Sequence, residues 1–386
     1  MKAGAGISVA HDPLAGATEA AALAAAQLNG RPADLALVFA SGEHLIAPEA
    51  TLAGVRNVIE TGALVGCGAG GVLAGGRELE SGTGVSVWAA SLDGVGTVTP
   101  FHAEVTGEEE ERAVIGLPEL RGSSGVIMLA DPYSFPTDSV LTVLTDAAPG
   151  VPVLGGLASA GVSDGQTALF AGDEVVEGGA VGVRLEGIEM LPCVSQGAAP
   201  VGREVTITAA EGNVITELAG RPALETVEGI VGELPEHERA LITGGLMVGI
   251  VVDGGKPDYE QGDFLVRGVI GADVNTGALA VGTTVRPGQV VRVHARDAQS
   301  ADADLRRALR LRLEAMGQTP PAGAILFSCN GRGTAMFGAP DHDATAVQEE
   351  LLGVPAAGFF AAGEIGPVGG RSFMHGFTAT LAVFPG

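Results

Sequence analysis

The feature that most constrains this chain is a pattern written three times: an apolar run, a helical segment, then a second apolar run that breaks into glycines. The first copy runs from Asp34 to Ser41, through a helical segment from about Pro48 to Thr61, to Leu64-Val65-Gly66-Cys67-Gly68-Ala69-Gly70-Gly71. The second joins Gly125 to Asp131, a helix from Pro136 to Ala148, and Val151 to Gly161; the third joins Gly323 to Asn330, a helix around Ala344 to Leu352, and Val354 to Glu364. Unalternated apolar runs of this length, bounded by small residues, read as strands buried on both faces. A strand, a crossover helix and a following strand make a right-handed βαβ unit with parallel strands, and three copies imply duplication. A degenerate fourth copy is expected near Leu246 to Asp253, although no clear helix accompanies it. Each unit leads into alternating strands, at Gly84 to Ala89, Gly179 to Leu185 and Phe377 to Phe384, which should extend the sheets antiparallel. The expected fold class is therefore α/β, with repeated βαβ units forming mixed sheets extended by antiparallel strands.

With 386 residues the chain suits two domains. A break is expected near Arg221-Pro222, where a turn and short strand give way to a new helix, dividing the chain into 1–221 and 222–386. A first helix is marked by Asp12 as cap and Pro13 at its first position, and it ends by Asn29-Gly30. A late helix, from about Ala301 to Met316, carries Asp302 and Arg306 at a spacing of four, an ordinary surface pairing. The acidic run Glu108 to Glu111 reads as a solvated loop or helix start.

Charge excludes several functions. The formal net charge of −25 repels nucleic-acid phosphates and anionic lipid, which excludes both as main partners. Lys2 and Lys256 are the only lysines; neither lies in a GK[ST] loop, so a phosphate-cradling P-loop has no residue to build from. Lys256, in a Gly-Gly-Lys-Pro turn, is a poor Schiff-base residue. The cysteines Cys67, Cys193 and Cys329 show neither zinc-ligand spacing nor a disulfide framework. No cofactor is expected. The N-terminus runs straight into a patterned strand and helix, and no uninterrupted apolar stretch is long enough to span a bilayer, so a cytoplasmic protein is expected.

Three clusters carry chemistry. Gly66, Gly68 and Gly71 match a dinucleotide-binding spacing, but the segment leads through Gly75-Gly76-Arg77-Glu78 into another strand, leaving no helix N-terminus for a pyrophosphate. The densest cluster is Ser328-Cys329-Asn330-Gly331-Arg332-Gly333, at the end of a buried strand. A thiol there, with backbone N–H groups and a guanidinium nearby, is expected to have a lowered pKa. The competing reading makes Cys329 a small buried hydrophobe and Arg332 the structural partner of an acid. Cys67, at a related strand end, has no basic neighbour in sequence, and Cys193 reads as core. The third cluster runs from Gly363 and Glu364 to Arg371, followed by His375. Glu364 could accept hydrogen bonds from an amine, and His375 could shuttle a proton. Asp341-His342-Asp343 reads as a surface loop rather than a metal site, because adjacent residues cannot all face one ion in regular structure.

With these residues placed, the chain resembles the FIST family of sensory proteins. Its N-terminal features look like Asp34 to Ser41, the Leu64 to Gly71 turn and Gly75 to Glu80; its C-terminal ones look like Ser328 to Gly333, Phe337-Gly338 and Gly363-Glu364-Ile365 through Thr378. The resemblance implies a sensor of small ligands, with amino acids suggested for the family, that transmits through an unidentified signalling partner. Cys329, Asn330, Gly331, Arg332, Gly363, Glu364 and His375, with Cys67, Gly68, Arg77 and Glu78 as the N-terminal counterpart, are the expected ligand-binding residues. Arg332 or Arg77 would hold a carboxylate and Glu364 an amine. The alternatives are an acyl- or amide-transfer enzyme in which Cys329 attacks and His375 takes the proton, and a ligand-free adaptor that binds another protein.

Overall fold

Each of the three repeated segments builds its own sheet. The computed structural model describes residues 1–107, 112–160, 167–242, 245–256, 258–259 and 261–386; the acidic run 108–111 and Gly161 lie outside the described residues. In the first repeat, Leu35–Ser41 pairs in parallel with Leu64–Gly68 and antiparallel with Gly84–Ser91, which in turn pairs with Lys2–Ser8. The second repeat sets Gly125–Ala130 beside Val153–Leu157 in parallel, with Ala180–Glu186 and then Thr97–Thr106 antiparallel. In the third, Pro321–Cys329 is parallel to Ala356–Ala361 and antiparallel to Thr378–Pro385, followed by Leu191–Gln196. The expected mixed α/β sheets with antiparallel extensions are thus present.

The two parallel strands of every repeat meet at the same residue. Gly66 lies opposite Val38, Gly155 opposite Met128 and Gly358 opposite Leu326, each the third residue of its strand. A Cβ at these positions would sit 2.0, 1.8 and 1.8 Å from the facing carbonyl oxygen, so only glycine lets the strands close. This shared constraint is residue-level support for duplication.

The sheets are completed by exchange. The hairpin that follows the first repeat, Val72–Ala74 with Arg77–Leu79, pairs with Ala356–Ala361 of the third repeat. The hairpin after the second, Leu169–Ala171 with Glu174–Val176, pairs with Leu64–Gly68 of the first. The hairpin after the third, Glu364–Val368 with Arg371–His375, pairs with Val153–Leu157 of the second. The three repeats thus interlock in a closed cycle.

Both faces of each sheet are covered, which explains the continuous apolar runs. One face of all three looks into a shared core holding Phe39, Cys67, Trp88, Ile127, Leu154, Phe327, Phe359 and Phe384. There Phe39 stacks on Phe359 at 4.9 Å. The other faces pack on helices: Pro13–Ala26 and Pro48–Arg56 on the first sheet, Thr137–Ala147 on the second, and Ala298–Ala315 with His342–Glu350 on the third. Asp12 caps the first of these helices, its Oδ1 accepting from Ala15 N at 2.8 Å.

The chain forms two compact units, 1–194 with 305–386, and 195–304. The three repeats make up the first. The second is inserted in sequence between Leu191–Gln196 and the helix Ala298–Ala315, ahead of the third repeat's parallel pair. It is an antiparallel sheet of Ala198–Glu211, Val290–Arg296, Leu246–Val251, Phe264–Asp273, Ala278–Val281, Val214–Leu218 and Arg221–Pro222. Because Val214–Leu218 also pairs with Ala198–Glu211, six strands close on themselves around Val205, Ile207, Ile215, Val248 and Val291, with Val227 and Ile230 from helix Ala223–Glu233. The expected fourth repeat is therefore absent: Leu246–Val251 has antiparallel neighbours on both sides. Its apolar run comes from burial within this ring. Arg221-Pro222 forms a short strand inside the same unit.

Candidate functional site

The parallel strands of the third repeat end at Cys329 and Ala361, and the chain beyond them supplies the polar residues. After Cys329 the backbone turns tightly, Arg332 N donating to Cys329 O at 2.9 Å, and this carries the Arg332 side chain inward to full burial. Its guanidinium meets Asp343 in a two-pronged pair, Nε to Oδ2 at 2.7 Å and Nη2 to Oδ1 at 2.9 Å. Asp343 also accepts from Ser328 Oγ at 2.8 Å and lies 2.9 Å from His342 Nδ1. Burial opposes its charge, but the Arg332 guanidinium and these hydrogen bonds together hold the carboxyl well below the usual carboxylate range. His342 stacks on Phe337 at 3.4 Å, and the Arg332 guanidinium lies 5.1 Å from the same ring. The surface-loop reading of Asp341-His342-Asp343 is thereby corrected: His342 and Asp343 open the helix His342–Glu350, and Asp343 is 2 % exposed. Among the described residues no cluster is suited to hold a metal.

Glu364, at the start of the exchanged hairpin, has no exposed surface. Its Oε2 accepts from Thr378 N at 3.1 Å and from Thr378 Oγ1 at 2.8 Å. Burial raises the pKa of this carboxyl above its ordinary value, outweighing the Thr378 hydrogen bonds. Cys329, Arg332 and Glu364 lie close enough to perturb one another's charge. Two atoms here lack a hydrogen-bond partner although they are buried: Arg332 Nη1 and Glu364 Oε1. Such atoms are rare in folded proteins and costly to leave unmade.

The expectation of a lowered thiol pKa at Cys329 is overturned. Burial, then the neighbouring Glu364 charge, push the thiol strongly upward, and its link to Gly331 N at 3.4 Å does not offset them. Of the two readings of Arg332, the structure favours the one that pairs it with an acid: Asp343 already balances its charge. His375 lies opposite Glu364 in the hairpin, with Nε2 2.9 Å from Gly366 O. Asn330 is exposed, while Gly363 is buried and accepts from Leu157 N at 2.8 Å.

The N-terminal residues divide. Cys67 is sealed in the shared core, its thiol raised by burial, and Gly68 closes the same strand. Arg77 is exposed and lines, with Ile7, Ser8, Glu19, Glu78 and Leu79, a surface cleft of about 450 Å³. Glu78 reaches the third repeat, where Oε1 accepts from Ala344 N at 2.8 Å and its own N–H donates to Asp341 Oδ1 at 2.6 Å. Burial and then the nearby Asp343 charge raise its carboxyl to about 7. Glu80 accepts from Thr334 N at 2.8 Å. The sequence reading missed Glu80 and Asp343; the strand exchange that brings residues 77–80 to the third repeat has no local signature.

Geometrically, the first unit is an interlocked three-sheet α/β body with a buried, incompletely satisfied polar site at the strand ends of one repeat. The FIST N domain model matches residues 34–221 and the FIST C domain model residues 223–367, and the chain belongs to the FIST family. Domains of this family are associated with sensory and signal-transduction proteins. The chain is 43 % identical over 385 residues to uncharacterized protein MT0656 of Mycobacterium tuberculosis, covering all of both chains. It is 42 % identical over 392 residues to uncharacterized protein Mb0898c of Mycobacterium bovis, covering all of this chain and 99 % of that one. Among the described residues no helix is long and apolar enough to cross a membrane.

Proposed function

We propose that this protein is a small-molecule-binding sensor whose ligand, an amino acid or similar polar metabolite, is held at the strand ends of the third repeat beside Cys329, Arg332 and Glu364. The observation that carries this reading is the pair of buried atoms without partners, Arg332 Nη1 and Glu364 Oε1, on two side chains that neighbour each other. A ligand that satisfied both would recover the cost of leaving them unpaired. The Glu78 and Glu80 contacts give such a site a mechanical outlet, since they tie the N-terminal hairpin to the segments that carry Arg332 and Asp343. A signalling protein that reads this change is part of the proposal. The test is a thermal-shift screen against amino acids and other polar metabolites, in which at least one compound is expected to raise Tm in proportion to its occupancy. Stabilisation by none of them would sink the sensor reading.

A further inference from the structure

Resting on that reading, the geometry points to a narrower ligand class: we infer that the buried site takes a carboxylate or similar small oxyanion, with Glu364 acting as a hydrogen-bond donor rather than as the counter-charge to an amine. Thr378 fixes the roles of the two carboxyl oxygens. Its N–H and its hydroxyl both aim at Glu364 Oε2, so that oxygen is the acceptor of the carboxyl group. Any proton the group carries then sits on Oε1, the atom without a partner. Full burial favours keeping that proton, because the desolvation of an ionised carboxylate there outweighs the Thr378 and Cys329 hydrogen bonds and the Arg332 charge.

Arg332 supplies the second donor. Nε and Nη2 are engaged by Asp343, and Nη1 remains. The Asp343 pair balances the guanidinium charge but leaves the Nη1 donor unused. Two neighbouring donors without acceptors ask for an acceptor, and a carboxylate oxygen satisfies both with charge-assisted bonds. An ammonium group would bring further donors to a site that already has too many. The other titratable groups around Glu364 are Cys329, whose thiol stays protonated, and His375, opposite it on the hairpin.

The experiment compares fragments that isolate each chemistry. Acetate and methylammonium are titrated separately, at matched ionic strength, against wild type, Glu364→Gln and Glu364→Ala, with Tm and calorimetric affinity as readouts. Acetate is expected to stabilise wild type and methylammonium not to. Glu364→Gln keeps a carbonyl for Thr378 and an N–H toward the site, so it should hold acetate within about threefold of wild type, whereas Glu364→Ala should lose about tenfold or more. As pH rises and Glu364 gives up its proton, wild type should lose acetate affinity and Glu364→Gln should not. Stabilisation by methylammonium alone, or loss of acetate binding in Glu364→Gln, overturns the inference. So does indifference of wild type to acetate when a metabolite from the screen does bind, an outcome that leaves the sensor reading standing. If Glu364→Ala fails to fold, the two fragments on wild type and Glu364→Gln still decide.

Discussion

Glu78 is the residue whose setting departs furthest from what its position in sequence suggests. It lies in an exposed-looking Gly-Gly-Arg-Glu-Leu-Glu segment, yet it is largely buried, accepts from a helix N-terminus and lies near the charges of Asp343, Asp341 and Glu80. Burial first, and these like charges second, raise it to about 7, against about 4.3 in an unfolded chain. Below the unfolded value both states hold the proton and the full stability is present. As pH rises from there toward about 7, the unfolded chain ionises while the folded one does not, so stability is lost across that window. Glu78→Gln, which keeps an acceptor for Ala344 N, removes this dependence. The difference in unfolding free energy between wild type and Glu78→Gln should fall by roughly 2–3 kcal/mol from pH 4.5 to pH 8, allowing for partial exposure. Urea denaturation at several pH values measures it, and a flat difference would remove Glu78 from this role. At this scale the sequence located Cys329, Arg332 and Glu364 as a cluster because glycines at strand ends are conspicuous. It misjudged the charge of Cys329, because the acid that pairs with Arg332 is eleven residues away, in a segment read as a surface loop just ahead of the expected helix.

Elements were more legible than the residues between them. Every repeated strand lies where its apolar run predicts, since burial on both faces leaves a local trace that turns and exchanged hairpins do not. Helix ends shifted in both directions: Pro48–Arg56 stops short of the expected Thr61, while Ala298–Ala315 and His342–Glu350 begin ahead of the expected Ala301 and Ala344. The apolar run at Leu246–Val251 misled, because a strand of a closed antiparallel ring and a strand of a parallel sheet can share a composition. The glycine at the third position of each second parallel strand offers a direct test. Gly358→Ala would drive a methyl to 1.8 Å from Leu326 O, which backbone cannot yield cheaply. The variant should lose about 3 kcal/mol or more in denaturant unfolding, well above a typical buried substitution. The same loss is expected of Gly66→Ala. A cost near that of a surface alanine would mean that the parallel pairs tolerate separation.

For the whole molecule, the exchange of hairpins decides what can stand alone. Residues 1–221 contain the first two repeats but lack Glu364–Val368, which pairs with the second sheet, and Ala356–Ala361, on which their own Val72–Ala74 hairpin lies. Expressed alone, that segment should bind ANS and unfold without a cooperative transition. Residues 195–304, whose strands close on one another around their own core, should fold cooperatively in isolation. Circular dichroism and chemical denaturation of the two pieces test both statements, and a cooperatively folded 1–221 would contradict the exchange. No sequence pattern reports this interlocking, because pairing between segments about 200 residues apart leaves no periodicity to read.

The cycle of hairpins also sets an order of events during synthesis. Ile365 takes its place beside Gly155, so the second sheet keeps an open edge while about 200 further residues leave the ribosome. The emerging chain must shelter that edge, either by holding its early repeats loosely or through a chaperone, until the last repeat arrives to close the second and third sheets.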